Sequence, residues 1–208
     1  ADDNASGTST VLEAARVFRN YNFPYTVVFA LWDEEEPGLI GSSAYAATVG
    51  NQNEILMGYI NVDMLGWDGN NDSIADLHTR PVANSLSLSG KAQQCNSVYN
   101  IGLGLHIINP GSGNTDHAPF WNNNLTAIGI DEEYDNDFNP YWHTLADSVG
   151  QFNLPFYLKC SKLAYATRAD CASDTVNTVG IGEYSFDNSI SVFPNPFLSN
   201  LTVKSTQT

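Results

Sequence analysis

The apolar run Thr26-Val-Val-Phe-Ala-Leu31 is followed at once by the acidic stretch Trp32-Asp-Glu-Glu-Glu-Pro-Gly-Leu-Ile-Gly-Ser42. A short apolar run rich in β-branched residues predicts a buried strand. In α/β folds, ligands bind in the crevice outside the carboxyl ends of the strands, so acids directly after this run lie where a ligand binds. Adjacent carboxylates repel each other unless a cation or a proton lies between them. A solvated acidic loop is the alternative for an isolated acidic triplet.

Apolar residues at helical spacing alternate along most of the chain with short apolar runs that are typical of strands. They predict strands at residues 26–31, 55–64, 103–108 and 125–130, and helices at residues 6–20, 39–49, 82–99 and 154–168. Polar segments rich in Gly, Asn and Asp predict loops at residues 67–76, 109–124 and 131–139. Such alternation predicts an α/β fold with a mostly parallel central sheet flanked by helices.

Composition excludes several classes of partner. The chain has 208 residues, only 8 Lys+Arg and a formal net charge of −15. Nucleic-acid binding requires a basic face, so we expect no nucleic-acid partner. No apolar stretch is long enough to span a bilayer, so we expect no membrane insertion. We expect a monomer.

The three cysteines are Cys95, Cys160 and Cys171. Cys160 and Cys171 are the better candidates for a disulfide if the helix that carries Cys160 ends before Cys171. In a continuous helix their separation is about 16 Å, too far to bridge.

Acids and one histidine stand after the predicted strands or in the loops between them. They are Asp2, Glu35, Glu36, Asp63 and His143. Oxygen and imidazole ligands without a thiolate suit zinc, with cobalt or manganese as substitutes. Two such metals about 3.5–4 Å apart hold a bridging hydroxide and polarise a carbonyl, and a neighbouring Glu serves as general base.

Five motifs carry a resemblance to one family. They are Ala1-Asp-Asp-Asn-Ala-Ser-Gly7, Glu35-Glu-Pro-Gly-Leu-Ile-Gly-Ser42, Asn61-Val-Asp-Met64, Thr115-Asp-His-Ala-Pro-Phe120 and Tyr141-Trp-His-Thr-Leu-Ala-Asp-Ser148. These motifs, in this order, resemble those of the co-catalytic zinc aminopeptidases of the secreted bacterial leucyl aminopeptidase type. The resemblance runs from Ala1 to about Arg168. The resemblance implies a phosphorylase/hydrolase-like α/β fold, two zinc ions and peptide substrates.

The resemblance also implies a role for each acid. Asp2 resembles the carboxylate that bridges both zinc ions, with a cis peptide bond after it, and Glu35 resembles the general base that activates the bridging water. Glu36 and His143 resemble the ligands of one zinc ion, and Asp63 resembles a ligand of the other. In the family, a histidine upstream of the Asp-Asp motif completes the second zinc site, and the given sequence does not contain that position.

Four further residues are candidates for the substrate pocket: Asp116, His117, Phe120 and Tyr141. The neighbouring aromatic residues Trp121 and Trp142 could line the same pocket. For Asp116 and His117 the alternative is a hydrogen bond that orders the loop, and for the aromatic residues it is core packing. Asp147 is either an orienting partner near His143 or the N-cap of a helix.

The C-terminal segment carries a second resemblance. Ser191-Val-Phe-Pro-Asn-Pro-Phe-Leu-Ser-Asn-Leu-Thr-Val203 resembles the opening of the β-sandwich sorting domain used by type IX secretion in Bacteroidetes-like bacteria. We therefore expect a zinc peptidase domain at residues 1–174, a linker at 175–189 and the start of the sorting module at 190–208. This implies a partner in the secretion machinery, a secreted or cell-surface bacterial protein, and a chain that is a fragment of a longer precursor.

The resemblance as a whole implies a zinc-dependent aminopeptidase that removes N-terminal residues from peptides. One alternative is a glutaminyl-peptide cyclotransferase of the same fold with a single zinc ion. The other is a binding module with a decayed site. The Asp2-Asp-Asn4 and Asn61-Val-Asp-Met64 motifs favour the peptidase over the cyclotransferase.

Overall fold

A computed structural model describes residues 1–52 and 55–173 of the chain. The linker expected at 175–189 and the module expected at 190–208 lie outside the described residues. The described elements, in chain order, are helix α1 (Gly7–Phe18), helix α2 (Ile40–Gln52), strand β1 (Tyr59–Val62), strand β2 (Ile74–His78), helix α3 (Ser85–Val98), strand β3 (Gly104–Ile108), helix α4 (Ala118–Asn122), strand β4 (Ala127–Glu132), helix α5 (Tyr134–Asp137) and helix α6 (Leu154–Ser173).

The four strands form one sheet in the order β1-β4-β2-β3. The pairs β1–β4 and β2–β3 are parallel, whereas β2 and β4 are antiparallel. The prediction of a mostly parallel sheet flanked by helices is therefore confirmed, with one antiparallel pairing in its centre.

The two faces of β4 contact different groups of helices, because successive side chains of a strand point to opposite faces. Ile128 and Ile130 are fully buried in a core that α3 and α6 complete, together with Leu77, Phe156 and Leu163. Ala127 belongs to a second core, formed with residues of α2 and α4. The sheet is thus covered by helices on both faces.

The strand predicted at residues 26–31 is not formed among the described residues. A strand needs a hydrogen-bonded neighbour, and this segment pairs with none of the four strands. Val28 and Leu31 are 48% and 41% exposed instead of buried. The segment lies along one side of a groove of about 840 Å³ whose other side includes the residues of β1.

Three elements were missed in segments predicted as loops, and one of them is helix α5 in the loop predicted at 131–139. Strand β2 lies in a stretch that contains the polar residues Asp76 and His78 and follows a loop rich in Asn and Asp. Helix α4 has only five residues and starts inside the loop predicted at 109–124.

Helix α6 runs without a break through Cys160 and Cys171, so the condition for a disulfide between them is not met. Within the part of the chain that the structure describes, none of the three cysteines forms a disulfide. Within the described residues, none of the helices combines the length and the apolar character that crossing a bilayer requires.

Candidate metal centre

The first residues of the chain carry two adjacent acids with different surroundings. Asp2 is 1% exposed, and its carboxylate accepts hydrogen bonds from the Gly66 amide at 2.7 Å and the Asn139 side chain at 3.1 Å. Asp3 instead brings Oδ2 to 3.1 Å from Nε2 of His143. The cis peptide bond joins Asp3 and Asn4, one residue later than expected. Of the two acids, the structure therefore brings Asp3 to His143, whereas the carboxylate of Asp2, the predicted ligand, is engaged inside the protein.

Side chains of the same segment hold it against β1. The side-chain nitrogen of Asn4 donates a hydrogen bond to the carbonyl of Val62 at 3.2 Å, and its Oδ1 accepts one from the backbone amide of Gly7 at 2.9 Å. The hydroxyl of Ser6 donates to the carbonyl of Asp2 at 2.7 Å. A side chain at Gly7 would clash with the carbonyl of Val62, so only glycine permits this close approach.

The acidic loop at residues 33–39 curls directly into helix α2. The carbonyls of Asp33, Glu34 and Glu35 accept hydrogen bonds from the amides of Gly41, Ile40 and Leu39, respectively. A Cβ at Gly41 would lie 2.7 Å from the carbonyl oxygen of Asp33, so this curl requires a glycine. This turn directs Glu36 towards His143, which lies in a loop much later in the sequence.

Asp3, Glu36 and His143 form a cluster of possible metal ligands. Oε1 of Glu36 lies 2.7 Å from Nε2 of His143. One ligand atom from each of the three residues lies within 4.8 Å of the other two, and no other such group occurs among the described residues. Two carboxylates and one imidazole at these distances fit a zinc ion with three protein ligands and an open coordination position.

Asp63 lies close by but outside this cluster. It is 7% exposed, and its Oδ1 has no hydrogen-bond partner among the described residues. Burial raises the pKa of Asp63 well above its usual value, and the charges of Asp131 and Asp3 raise it further. A buried carboxylate oxygen without a donor is costly, and a bound cation would offset that cost.

Glu35 is half-buried beside the cluster and makes no hydrogen bond to it. Burial raises the pKa of Glu35 to about 7, and the charges of Asp116, Glu36 and Asp3 contribute to the increase. A carboxylate with a pKa near neutrality is well matched to accept and return a proton at physiological pH.

A cavity of about 590 Å³ opens onto these acids. The aromatic residues Tyr134, Phe138 and Trp142 line it, together with the loop at residues 112–115. Phe138 contacts both other rings edge to face, each with ring centroids 5.4 Å apart. Of these three residues, Trp142 was predicted from the sequence as a pocket residue, whereas Tyr134 and Phe138 were missed.

None of the four predicted pocket residues lines this cavity. Phe120 is 1% exposed and stacks on Tyr59 with ring centroids 4.0 Å apart, so it belongs to the second core. Tyr141 packs against Trp67 with ring centroids 5.6 Å apart. For Tyr141 the structure therefore supports packing, the alternative to pocket lining. Phe120 also lines the groove of about 840 Å³, which borders Asp3, Glu35 and Glu36.

His117 orders the loop that carries it. It is fully buried, and its Nδ1 accepts from the Thr115 hydroxyl at 2.7 Å while its Nε2 donates to the carbonyl of Ser112 at 3.0 Å. Burial lowers the pKa of His117 to about 4, so the ring is neutral. Asp116, also buried, lies at the groove and contributes to the raised pKa of Glu35.

Two further acids lie beneath the site, at the end of β4. Burial and, after it, the charge of Asp2 raise the pKa of Glu132 to about 10. Glu132 also accepts a hydrogen bond from the Asn139 amide at 3.0 Å. Oδ2 of Asp131 lies 3.1 Å from Nε2 of His78, in a fully buried pair. These side chains support the loops around the candidate centre from inside the protein.

Comparison with known proteins places this geometry in context. Residues 1–167 match the family model described as Peptidase family M28. A probable leucine aminopeptidase of Arthroderma benhamiae is 28% identical over 172 residues, which cover 79% of this chain and 45% of that protein. A probable zinc metalloprotease of Pyrenophora teres f. teres is 36% identical over 103 residues, which cover 49% of this chain and 22% of that protein. The chain thus spans less than half the length of these relatives.

Solved structures show the same fold. The Legionella pneumophila LapA aminopeptidase is similar with a TM-score of 0.75 and 29% identity, over 84% of this chain and 47% of that chain. A glutaminyl cyclase from an Acidobacteriales bacterium is similar with a TM-score of 0.61 over 82% of this chain and 61% of that chain. Its identity of 14% shows a shared fold alone.

Proposed function

The chain belongs to peptidase family M28, and we propose that the protein is a zinc-dependent aminopeptidase that removes N-terminal residues from peptides. The observation that carries this proposal is the convergence of Asp3, Glu36 and His143 beside the half-buried Glu35, at the mouth of an aromatic cavity. Similarity to a probable leucine aminopeptidase and to LapA supports the same activity.

The three clustered residues would hold one zinc ion. When bound, zinc polarises a substrate carbonyl and lowers the pKa of the water that it binds. Glu35 accepts the proton of the attacking water and returns it to the leaving amine, which its raised pKa allows near neutral pH. The cavity walls Phe138 and Trp142 receive the first side chain of the substrate and exclude water from it.

We propose a second zinc ion between Asp3 and Asp63. The unpartnered Oδ1 of Asp63 supports this, since it is buried and points to no donor among the described residues. The family resemblance implies that a histidine upstream of the Asp-Asp motif completes this position. Asp3 would then be the carboxylate shared by both ions.

Location and further partners are proposals of the same kind. We propose a secreted or cell-surface monomer that meets the type IX secretion machinery through residues 190–208, which lie outside the described residues. The low charged fraction of 15% and the sequence of that segment support this.

The function is tested by the release of p-nitroaniline from leucine p-nitroanilide by the natural full-length protein, with and without a chelator. We expect release that the chelator abolishes and that added zinc restores. A peptide with N-terminal glutamine provides the comparison, because a cyclotransferase would return pyroglutamate and a peptidase a free amino acid. Chelator-insensitive release, or pyroglutamate as the product, would overturn the proposal.

A further inference from the structure

We propose that Asp147 is a positioning residue that fixes the backbone of Asp2 and Asp3 and thereby holds the Asp3 carboxylate in its metal-binding geometry. The inference rests on the proposed function, because it concerns a ligand of the same centre. It assigns Asp147 a role that differs from both roles considered for it in the sequence, an orienting partner of His143 and a helix N-cap.

Among the described residues, the Asp147 carboxylate accepts its hydrogen bonds from the first residues of the chain. Oδ2 accepts hydrogen bonds from the amides of Asp2 at 2.9 Å and Asp3 at 3.2 Å, and the nitrogen of Ala1 contacts the same oxygen. Oδ1 accepts a further hydrogen bond from the Asp2 amide at 3.0 Å. The side chain is only 6% exposed. One carboxylate therefore binds successive amides of the segment that presents the ligand.

The role of a helix cap has no contact to support it. The next helical turn, Val149–Gln151, has Ser148 at its N-cap, and no side chain caps it. Helix α6 begins later, at Leu154. Among the described contacts, the Asp147 carboxylate instead reaches across to a segment about 145 residues earlier in the chain.

Asp147 lies in the same loop as His143, so its position links the two candidate metal ligands His143 and Asp3. It lies four residues after His143, and the intervening turn is braced by a hydrogen bond from the Asp147 amide to the carbonyl of Thr144 at 3.2 Å. The same short loop thus carries the His143 ligand and the group that orients Asp3. Displacing this carboxylate would change the separation of Asp3 and His143, which is now 3.1 Å between Oδ2 and Nε2.

The energetic reason is the strength of hydrogen bonds to an ionised acceptor. A carboxylate that accepts backbone N–H groups forms charge-assisted bonds, about twice as strong as neutral ones. Fixing the amides of Asp2 and Asp3 fixes the direction in which the Asp3 side chain leaves the backbone. Groups that orient metal ligands in this way typically change metal affinity by about 10–100-fold when they are removed.

The test compares Asp147→Ala and Asp147→Asn with Asp170→Asn in the natural full-length protein. Asp170 is a matched control, because it is a partly exposed acid paired with Lys91 at 2.7 Å, on helix α6. Three quantities are measured: the zinc dissociation constant by competition with a chromophoric chelator, the visible absorption bands of the cobalt-substituted protein, and kcat and KM at saturating zinc. Unfolding temperatures of the metal-free variants show how much stability each one loses.

We expect Asp147→Ala to weaken zinc binding by about 10–100-fold and to shift the cobalt bands. At saturating zinc, kcat should fall while KM changes little, because the substrate cavity is not altered. Asp147→Asn should show a smaller change, since its amide oxygen still accepts hydrogen bonds, and it replaces the alanine variant if that one does not fold. Asp170→Asn should match the wild type.

The inference is overturned if both Asp147 variants keep the wild-type zinc affinity and cobalt spectrum and lose only thermal stability. That result would assign Asp147 a purely structural role. Failure of the proposed function gives a different result, because the wild-type protein itself would then bind no zinc or release no amino acid.

Discussion

Oε1 of Glu36 lies 2.7 Å from Nε2 of His143, although the two residues are 107 positions apart in the sequence. Asp3, from a third segment, reaches the same nitrogen at 3.1 Å. Three segments that are far apart in the sequence thus bring two carboxylates and an imidazole close together. The neighbouring Glu35 is left without a hydrogen bond to the cluster, which suits a proton acceptor rather than a ligand.

The first prediction separates the two adjacent acids. Asp3→Asn should weaken zinc binding by more than about 100-fold, because loss of a ligand exceeds the loss of a group that merely orients one. Asp2→Asn should affect zinc binding far less and should lower the free energy of unfolding by roughly 1–3 kcal/mol, because a buried acceptor is replaced by an amide. Zinc titration and urea unfolding of both variants measure these quantities. A folded Asp2→Asn protein that loses zinc as completely as Asp3→Asn would restore Asp2 as the ligand.

The second prediction concerns the pH dependence of stability at Glu132. Its pKa is about 10 in the folded protein against 4.5 for a free carboxyl, so the folded state retains a proton that the unfolded chain releases. The contribution of Glu132 to stability is therefore full below about pH 4.5 and decreases as the pH rises towards 10, by at most about 1.4 kcal/mol per pH unit. Glutamine does not titrate, so Glu132→Gln should gain stability relative to the wild type between pH 5 and pH 9.

Urea unfolding of the metal-free proteins at pH 5, 7 and 9 measures this difference. Glu13→Gln is the control, because a hydrogen bond to the exposed Arg16 lowers the pKa of Glu13 and its effect should be constant over this range. A constant difference between Glu132→Gln and the wild type at all three pH values would show that Glu132 is ionised in the folded protein.

The third prediction compares Phe120, an aromatic residue of the core, with Phe138, an aromatic residue that lines the cavity. Phe120→Ala should lower the free energy of unfolding by about 3–5 kcal/mol, because Phe120 is fully buried on Tyr59. Phe138 is 38% exposed and lines the cavity, so Phe138→Ala should mainly raise KM for leucine p-nitroanilide. Thermal unfolding and steady-state kinetics of both variants provide the comparison. The reverse pattern would return Phe120 to the substrate site.

Much of the fold follows from periodicity. Helices α1, α3 and α6 and strands β3 and β4 lie where the apolar spacing predicted them. Strand β2 was missed because its buried polar residues, Asp76 and His78, interrupt the apolar alternation that marks a strand. The prediction at residues 26–31 failed for another reason: a strand depends on a neighbour, and a local pattern does not specify one.

The candidate site was predicted in part. Motif register selected Glu35, Glu36 and His143, and the structure brings Glu36 and His143 into contact. The match to the motif did not distinguish Asp2 from Asp3. Both residues are aspartates, and they differ only in the direction in which the backbone points their side chains. Trp142 was predicted as a pocket residue, whereas the other cavity walls, Tyr134 and Phe138, were missed, because aromatic residues in a loop and in a core have the same sequence signal until packing is known.

We propose that Glu35 is the proton acceptor beside a zinc ion held by Asp3, Glu36 and His143. The most direct measurement is the turnover of leucine p-nitroanilide by Glu35→Gln in the natural full-length protein, together with its zinc content and unfolding temperature. We predict wild-type zinc content and fold, with kcat reduced by roughly 10²–10⁴-fold. A folded, zinc-loaded Glu35→Gln protein with wild-type turnover would contradict the claim.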